Sequence, residues 1–145
     1  MNATAVLTDD EARAQFWRSV ENRAMALPFC RGCSAYFFFP RPFCPACWSD
    51  QVELRPASGR GTVWSYSVVR FAHGAANPWQ QRLPYALALV DLEEGVRIMA
   101  NVLECPVEQV RSGMAVQLTY ADLDGRTLYA FKPAQAAPAS TAARA

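Results

Sequence analysis

The chain has 145 residues, which is enough for one compact domain or for a small domain with an appended element. Hydrophobic residues make up 52% of it and charged residues 19%, so we expect a folded core rather than a disordered chain. Its formal net charge of +1 lacks the basic excess of typical nucleic-acid-binding proteins, which argues against a nucleic-acid partner.

The sequence contains neither a secretion signal nor an apolar run of about 20 residues, the length that a membrane helix needs. We therefore expect a cytoplasmic protein with no membrane association. Four of its five cysteines form two C-x2-C pairs. This spacing suits metal binding in a reducing compartment better than a disulfide framework.

Residues 9–24 are predicted to form the first helix. Thr8 and Glu11 have the spacing of a capping box, which satisfies the first free N–H groups of a helix. Trp17 lies beside an apolar stripe in which every fourth residue is hydrophobic, namely Ala12, Phe16, Val20 and Ala24. This face could pack against the chain's own barrel or against a partner subunit, and the sequence leaves both possibilities open.

Residues 28–50 are rich in Cys, Pro and aromatic residues, and they have too few aliphatic side chains for a hydrophobic core. A metal is therefore expected to hold the segment together. Four thiolates suit tetrahedral zinc and leave no position for water or substrate, so the site is predicted to be structural. Many zinc knuckles place Gly after their second Cys, where this chain has Ser34 and Trp48. The predicted ligands are Cys30, Cys33, Cys44 and Cys47.

The loop between the two cysteine pairs carries four consecutive aromatic residues, Tyr36, Phe37, Phe38 and Phe39. They could pack into the junction between ribbon and barrel, or some could face outward as anchors for another subunit. Both can hold, because alternate residues point to opposite faces.

Beyond Pro56 the pattern is typical of β-structure. Trp64, Tyr66 and Val68 are predicted to share one face of the first strand. Residues 106–111 are predicted to form a short helix between the third and fourth strands. This order favours a five-stranded barrel of the OB type over a sandwich. The predicted strands cover residues 61–71, 85–92, 96–103, 114–120 and 127–131.

The chain is thus predicted to be mainly β, with an N-terminal helix, a four-cysteine zinc ribbon and an OB-type barrel. Residues 1–27 form the N-terminal helical segment, 28–55 the zinc ribbon, and 56–133 the barrel. Residues 134–145 contain no large apolar side chain and are predicted to be a disordered tail.

Two further residues have side chains capable of catalysis. Cys105 precedes the predicted short helix, whose dipole could activate a thiol, but no base is identifiable beside it, so a small apolar residue at a cap position is the favoured interpretation. His73 lies in a long connection that also contains Trp79 and Arg82. Long strand connections in small barrels often contact ligands or partners.

The chain resembles the DUF35 family of zinc-ribbon/OB-fold proteins from about Phe16 to Ala134. The residues that carry this resemblance are Phe16-Trp17, Cys30-Arg31-Gly32-Cys33, Phe39-Pro40-Arg41, Cys44-Pro45-Ala46-Cys47, Ser58-Gly59-Arg60-Gly61-Thr62-Val63 and Phe131-Lys132-Pro133-Ala134.

The resemblance implies an accessory subunit of thiolase-superfamily proteins that act on coenzyme A thioesters. In such complexes the thiolase-like chain supplies the catalytic Cys and His residues, and the chemistry is thiolysis, acyl transfer or retro-aldol cleavage. This chain would hold structural zinc, share the acyl-CoA ligand and be non-catalytic alone. The candidates for contact with partner or acyl-CoA are Phe38, Phe39, His73, Trp79 and Arg82.

Three alternative functions remain open at this point. The barrel could bind single-stranded nucleic acid by stacking bases on Trp64 and Tyr66. The chain could be a stand-alone acyl-CoA-binding protein or enzyme that uses Cys105 or His73. It could also be a purely structural bridge that never touches substrate.

Overall fold

The computed structural model describes residues 7–135. Residues 1–6 and 136–145 lie outside the described part of the chain, and with them most of the predicted tail. The described chain is mainly β, as predicted, with one α-helix, a small three-stranded sheet and a closed barrel of five strands.

Helix α1 spans Asp9–Glu21. The predicted capping box is present: the backbone N–H of Thr8 donates to Glu11 Oε2 at 2.7 Å, and the N–H of Glu11 donates to Thr8 Oγ1 at 3.3 Å. The helix ends three residues before the predicted limit, because Arg23 has a φ of 55° and the chain then turns into a strand. Its buried residues are Ala12, Phe16 and Val20.

The open question about this helix is resolved by its packing. Phe16 and Val20 belong to the same buried cluster as the barrel interior, so the apolar face covers the chain's own barrel. Trp17 stacks on Tyr129 at 5.9 Å between ring centroids, and 41% of its side chain is exposed.

The ribbon sheet contains β1 (Ala26–Cys30), β2 (Ala35–Tyr36) and β3 (Val52–Pro56), in the order β2-β1-β3. Both pairings are antiparallel. Cys30 pairs with Ala35 on one side and with Val52 on the other, so the end of the central strand β1 positions the first zinc ligand.

The barrel closes in the order β4-β5-β6-β8-β7. Only β6 and β8 pair in parallel, which is the closure expected of an OB-type barrel. A short 3-10 turn, Val107–Gln109, stands where a helix over residues 106–111 was predicted. The barrel strands are β4 (Arg60–Val69), β5 (Tyr85–Leu92), β6 (Arg97–Val102), β7 (Ala115–Leu123) and β8 (Arg126–Pro133).

The predicted face of the first barrel strand was wrong. A register shift separates Val63, which pairs with Val90, from Ser65, which pairs with Leu89. The extra residue at this bulge is Trp64, so it does not share a face with Tyr66 and Val68. Those two residues pair with the buried Ala88 and Ala86, although Tyr66 is still 37% exposed, and Trp64 is 53% exposed.

Candidate zinc centre and its surface

The four predicted ligands converge at the end of β1. Their sulfur atoms all lie within 4.8 Å of one another. Cys30 Sγ is 3.5 Å from Cys47 Sγ, and Cys33 Sγ is 3.7 Å from Cys44 Sγ. A zinc–sulfur bond of about 2.3 Å in a tetrahedron places sulfurs about 3.8 Å apart, so the residues present fit one zinc ion.

The backbone of both knuckles adopts the left-handed conformation that zinc knuckles commonly assign to Gly. Ser34 has a φ of 57° and Trp48 a φ of 62°. Gly32 lets the two knuckles approach closely, because a Cβ there would lie 3.0 Å from the side chain of Ser49. The N–H of Trp48 donates to Cys44 O at 2.9 Å. The knuckle geometry therefore forms without its usual glycines.

The thiols differ in how readily they ionise. A hydrogen bond from the backbone N–H of Cys33 is the main cause that lowers the pKa of Cys30 to about 7. A hydrogen bond with the Cys44 thiol, and then burial, raises the pKa of Cys33 to about 12. Four thiolates this close require a cation between them. Zinc bound to all four would cross-link the ribbon and leave no coordination position for substrate.

The aromatic loop between the two cysteine pairs has both buried and exposed side chains. Phe37 is buried against Cys30 and Cys44 in the small ribbon core. Phe38 packs on Phe16 of α1 at 5.5 Å between centroids, which joins the ribbon to the barrel core. Phe39 stacks on Phe38 at 4.6 Å but is 66% exposed. Packing at the junction and an outward-facing residue are thus both present.

A depression beside the zinc cluster, here called the ribbon groove, lies between the ribbon and the N-terminal part of α1. Its apolar lining includes Phe39, which is 66% exposed, and Trp48, which is 78% exposed. Arg13 and Asp9 form the helix side. The ribbon residues that line it are Phe39, Pro40, Arg41, Pro42, Phe43, Pro45 and Trp48.

The other contact candidates lie in the connection between β4 and β5. The Trp79 ring packs on Tyr85 at 5.0 Å, and the Arg82 guanidinium lies 5.8 Å from the Trp79 ring centroid. Arg82 also donates to Asp122 O at 2.9 Å, which ties this connection to the end of β7. His73 is exposed and contacts Phe71 instead, at 4.9 Å between centroids.

The structure therefore places Phe38 and Phe39 on the ribbon and brings Trp79 and Arg82 together at a separate place, the β4–β5 connection. Sequence reasoning did not name Arg41 or Phe43 as contact candidates, and it treated Trp48 only as a departure from the knuckle pattern. One signal in the sequence could have indicated this surface: Trp48 is a large aromatic residue at a position that favours Gly, and it follows a proline-rich segment.

No hydrogen bond joins Cys105 to His73 in the part of the chain that the structure describes. Burial raises the pKa of Cys105, so its thiol is not activated. The neighbouring 3-10 turn is only three residues long, which is too short to supply the helix dipole considered above. Cys105 is partly buried, and Pro106 rather than Cys105 stands at the N-cap of that turn.

Comparison with known proteins agrees with this architecture. Residues 29–53 match the family model described as ChsH2, rubredoxin-like zinc ribbon domain, and residues 54–121 match ChsH2, C-terminal OB-fold domain. A DUF35 domain-containing scaffold protein of Methanocaldococcus jannaschii is 32% identical over 133 residues, which cover 87% of this chain and 92% of that protein. This chain belongs to the DUF35 family.

Other relatives are named as subunits of enzymes that act on CoA thioesters. A probable enoyl-CoA hydratase alpha subunit of Thermomonospora curvata is 34% identical over 82% of this chain, which spans only 37% of that protein. The benzoylsuccinyl-CoA thiolase subunit BbsA of Geobacter metallireducens is 37% identical over 62% of this chain and 57% of its own length.

A solved structure named "Ltp2-ChsH2(DUF35) aldolase" matches with a TM-score of 0.74 and 30% identity, over 84% of this chain and 94% of that chain. It shares with this DUF35 chain the combination of ribbon and barrel. Within residues 7–135, no helix has both the length and the apolar character needed to cross a membrane.

Proposed function

We propose that this DUF35 protein is a non-catalytic subunit that binds a thiolase-superfamily partner and helps to form the site for its acyl-CoA ligand. The partner would carry out C–C bond cleavage or formation by thiolysis, acyl transfer or retro-aldol cleavage. The chain would contribute structural zinc and a preorganised surface.

The observation that carries this proposal is the combination of a rigid, exposed aromatic surface with the lack of an activated nucleophile. Among the described residues, Cys105 has a raised pKa, and its thiol forms no hydrogen bond with another side chain. Meanwhile Phe39 and Trp48 are more than half exposed next to a site that zinc would hold rigid. A surface ordered in advance loses little entropy on binding. The names of the relatives support a subunit role in acyl-CoA enzymes.

Phe38, Phe39, His73, Trp79 and Arg82 remain the proposed contact residues, with different roles. Phe39 is available to a partner, whereas Phe38 would act by holding Phe39 in place. Trp79 and Arg82 are held together at the rim of the barrel, where they could border the acyl-CoA.

The test is purification of the full chain from its native host at endogenous levels, followed by mass spectrometry of whatever co-purifies. We expect a thiolase-superfamily chain in stoichiometric amount, and acyl-CoA cleavage or condensation only when both chains are present. Thioester chemistry by the isolated chain that Cys105→Ala abolishes would contradict the proposal. Recovery of the chain alone or bound to RNA would also contradict it.

A further inference from the structure

Trp48 combines a strained backbone with a large exposed apolar side chain. Its φ of 62° lies in the left-handed region, where a bulky side chain is strained. The residue is 78% exposed, so burial of its side chain offsets little of that strain. Ser34, at the equivalent position of the first knuckle, is small and polar. Bulky residues usually avoid a positive φ, and large apolar side chains are usually buried. A Trp that departs from both tendencies points to a functional role.

The surroundings of Trp48 make it part of a surface rather than an isolated residue. Phe39 and Phe43 line the same ribbon groove, and they are 66% and 39% exposed. Three prolines stiffen the backbone of that wall. Because the zinc cluster fixes Cys44 and Cys47 on either side of the second knuckle, the groove is ordered before anything binds.

The charged residues that line the groove are Asp9, Arg13 and Arg41. Arg13 is occupied by an ion pair with Asp10 at 2.9 Å. Arg41 lines the groove, and no ion pair holds it within residues 7–135. An unpaired guanidinium in a groove that is also lined by Phe39, Phe43 and Trp48 suits a carboxylate flanked by apolar side chains.

We propose that the ribbon groove is the docking surface for the thiolase-superfamily partner and that Trp48 is its anchor. The groove receives a segment of that partner in which an acidic residue, paired with Arg41, lies among apolar residues. This inference rests on the proposed function and deepens it by naming the surface and the chemistry of the segment that binds there.

The test separates a binding role from a structural one, because Trp48→Gly relieves the backbone strain. We expect the full-length Trp48→Gly protein to retain one zinc per chain and an equal or higher Tm. Its affinity for the co-purifying thiolase-superfamily chain, measured by surface plasmon resonance, should fall by at least about tenfold. Ser34→Gly is the matched control: it relieves the same kind of strain outside the groove and should leave affinity unchanged.

Two further variants test the groove independently. Arg41→Glu should weaken binding more than Arg41→Lys, and Phe43→Ser should weaken binding with zinc retained. If Trp48→Gly binds the partner within twofold of the wild type, or loses zinc, this inference is overturned while the proposed function stands. If the wild-type chain binds no thiolase-superfamily protein, the proposed function fails, and this inference fails with it.

Discussion

At the scale of single residues, the pair formed by Asp91 and Arg97 ties β5 to β6 on the outside of the barrel. Arg97 donates to both carboxylate oxygens, at 2.6 and 3.0 Å, and its guanidinium lies 3.8 Å from the Trp64 ring centroid. The hydrogen bond from Arg97 lowers the pKa of Asp91 below its ordinary value of 3.8. Both side chains are partly exposed, so we expect a modest contribution to stability.

That lowered pKa gives a pH-dependent prediction. A carboxyl whose pKa is lower in the folded state stabilises the fold fully above pH 3.8, and its contribution is lost as the pH falls through the folded-state pKa. Asp91→Asn should therefore lower Tm at pH 7, and the two melting curves should converge on acidification. Differential scanning fluorimetry across this range, with Asp124→Asn as an exposed control, measures the effect. A Tm difference independent of pH would contradict it.

At the scale of elements, the paired strands β4 and β5 lie very close together at Gly61. Gly61 pairs with Leu92 on one side and with Val116 on the other. A Cβ at position 61 would lie 2.7 Å from Val90 Cγ1 and 2.8 Å from Asp91 O. Because the second of these atoms belongs to the backbone, it cannot move aside without disturbing the strand pairing.

We therefore expect Gly61→Ala to lower the free energy of unfolding by about 1–3 kcal/mol. Thr62→Ala is the control on the same strand, since Thr62 is exposed and its change should stay within about 0.5 kcal/mol. Urea denaturation followed by tryptophan fluorescence measures both values. Equal stability of Gly61→Ala and wild type would show that β5 can shift to make room for the added methyl group.

At the scale of the whole molecule, the two units are stabilised in different ways. One continuous apolar cluster fills the barrel and includes Phe16 and Val20 of α1. The ribbon contributes a separate cluster with only three buried residues, Cys30, Phe37 and Cys44. Two of these are zinc ligands, whereas Leu27 of β1 packs in the barrel cluster. We therefore expect the segment that carries the cysteines to depend on the metal and the barrel to be independent of it.

Removal of zinc by a chelator under reducing conditions should accordingly unfold the cysteine-bearing segment of the ribbon and leave the barrel folded. Hydrogen exchange followed by mass spectrometry should show faster exchange over residues 31–50 and unchanged protection in β5 and β6. Cys105→Ala, which removes a thiol outside the cluster, should respond in the same way as wild type. Persistent protection of residues 31–50 after metal removal would show that packing alone maintains the ribbon.

The sequence determined the features that depend on local spacing. Each C-x2-C pair can place two sulfurs on one ion, and the Thr8–Glu11 spacing marks the start of a helix. Alternation and turn residues predicted the five barrel strands and their order along the chain, because these signals are local as well.

Only the tertiary structure decided which side chains are free to bind. The bulge at Trp64 depends on the pairing of β4 with β5, so alternation alone assigned its face wrongly. Phe38 and Phe39 are neighbours of identical chemistry, yet α1 covers the first and leaves the second exposed. The ribbon groove joins residues of the second knuckle to the N-terminal part of α1. Exposure results from packing between distant segments, and no pattern within one segment encodes it.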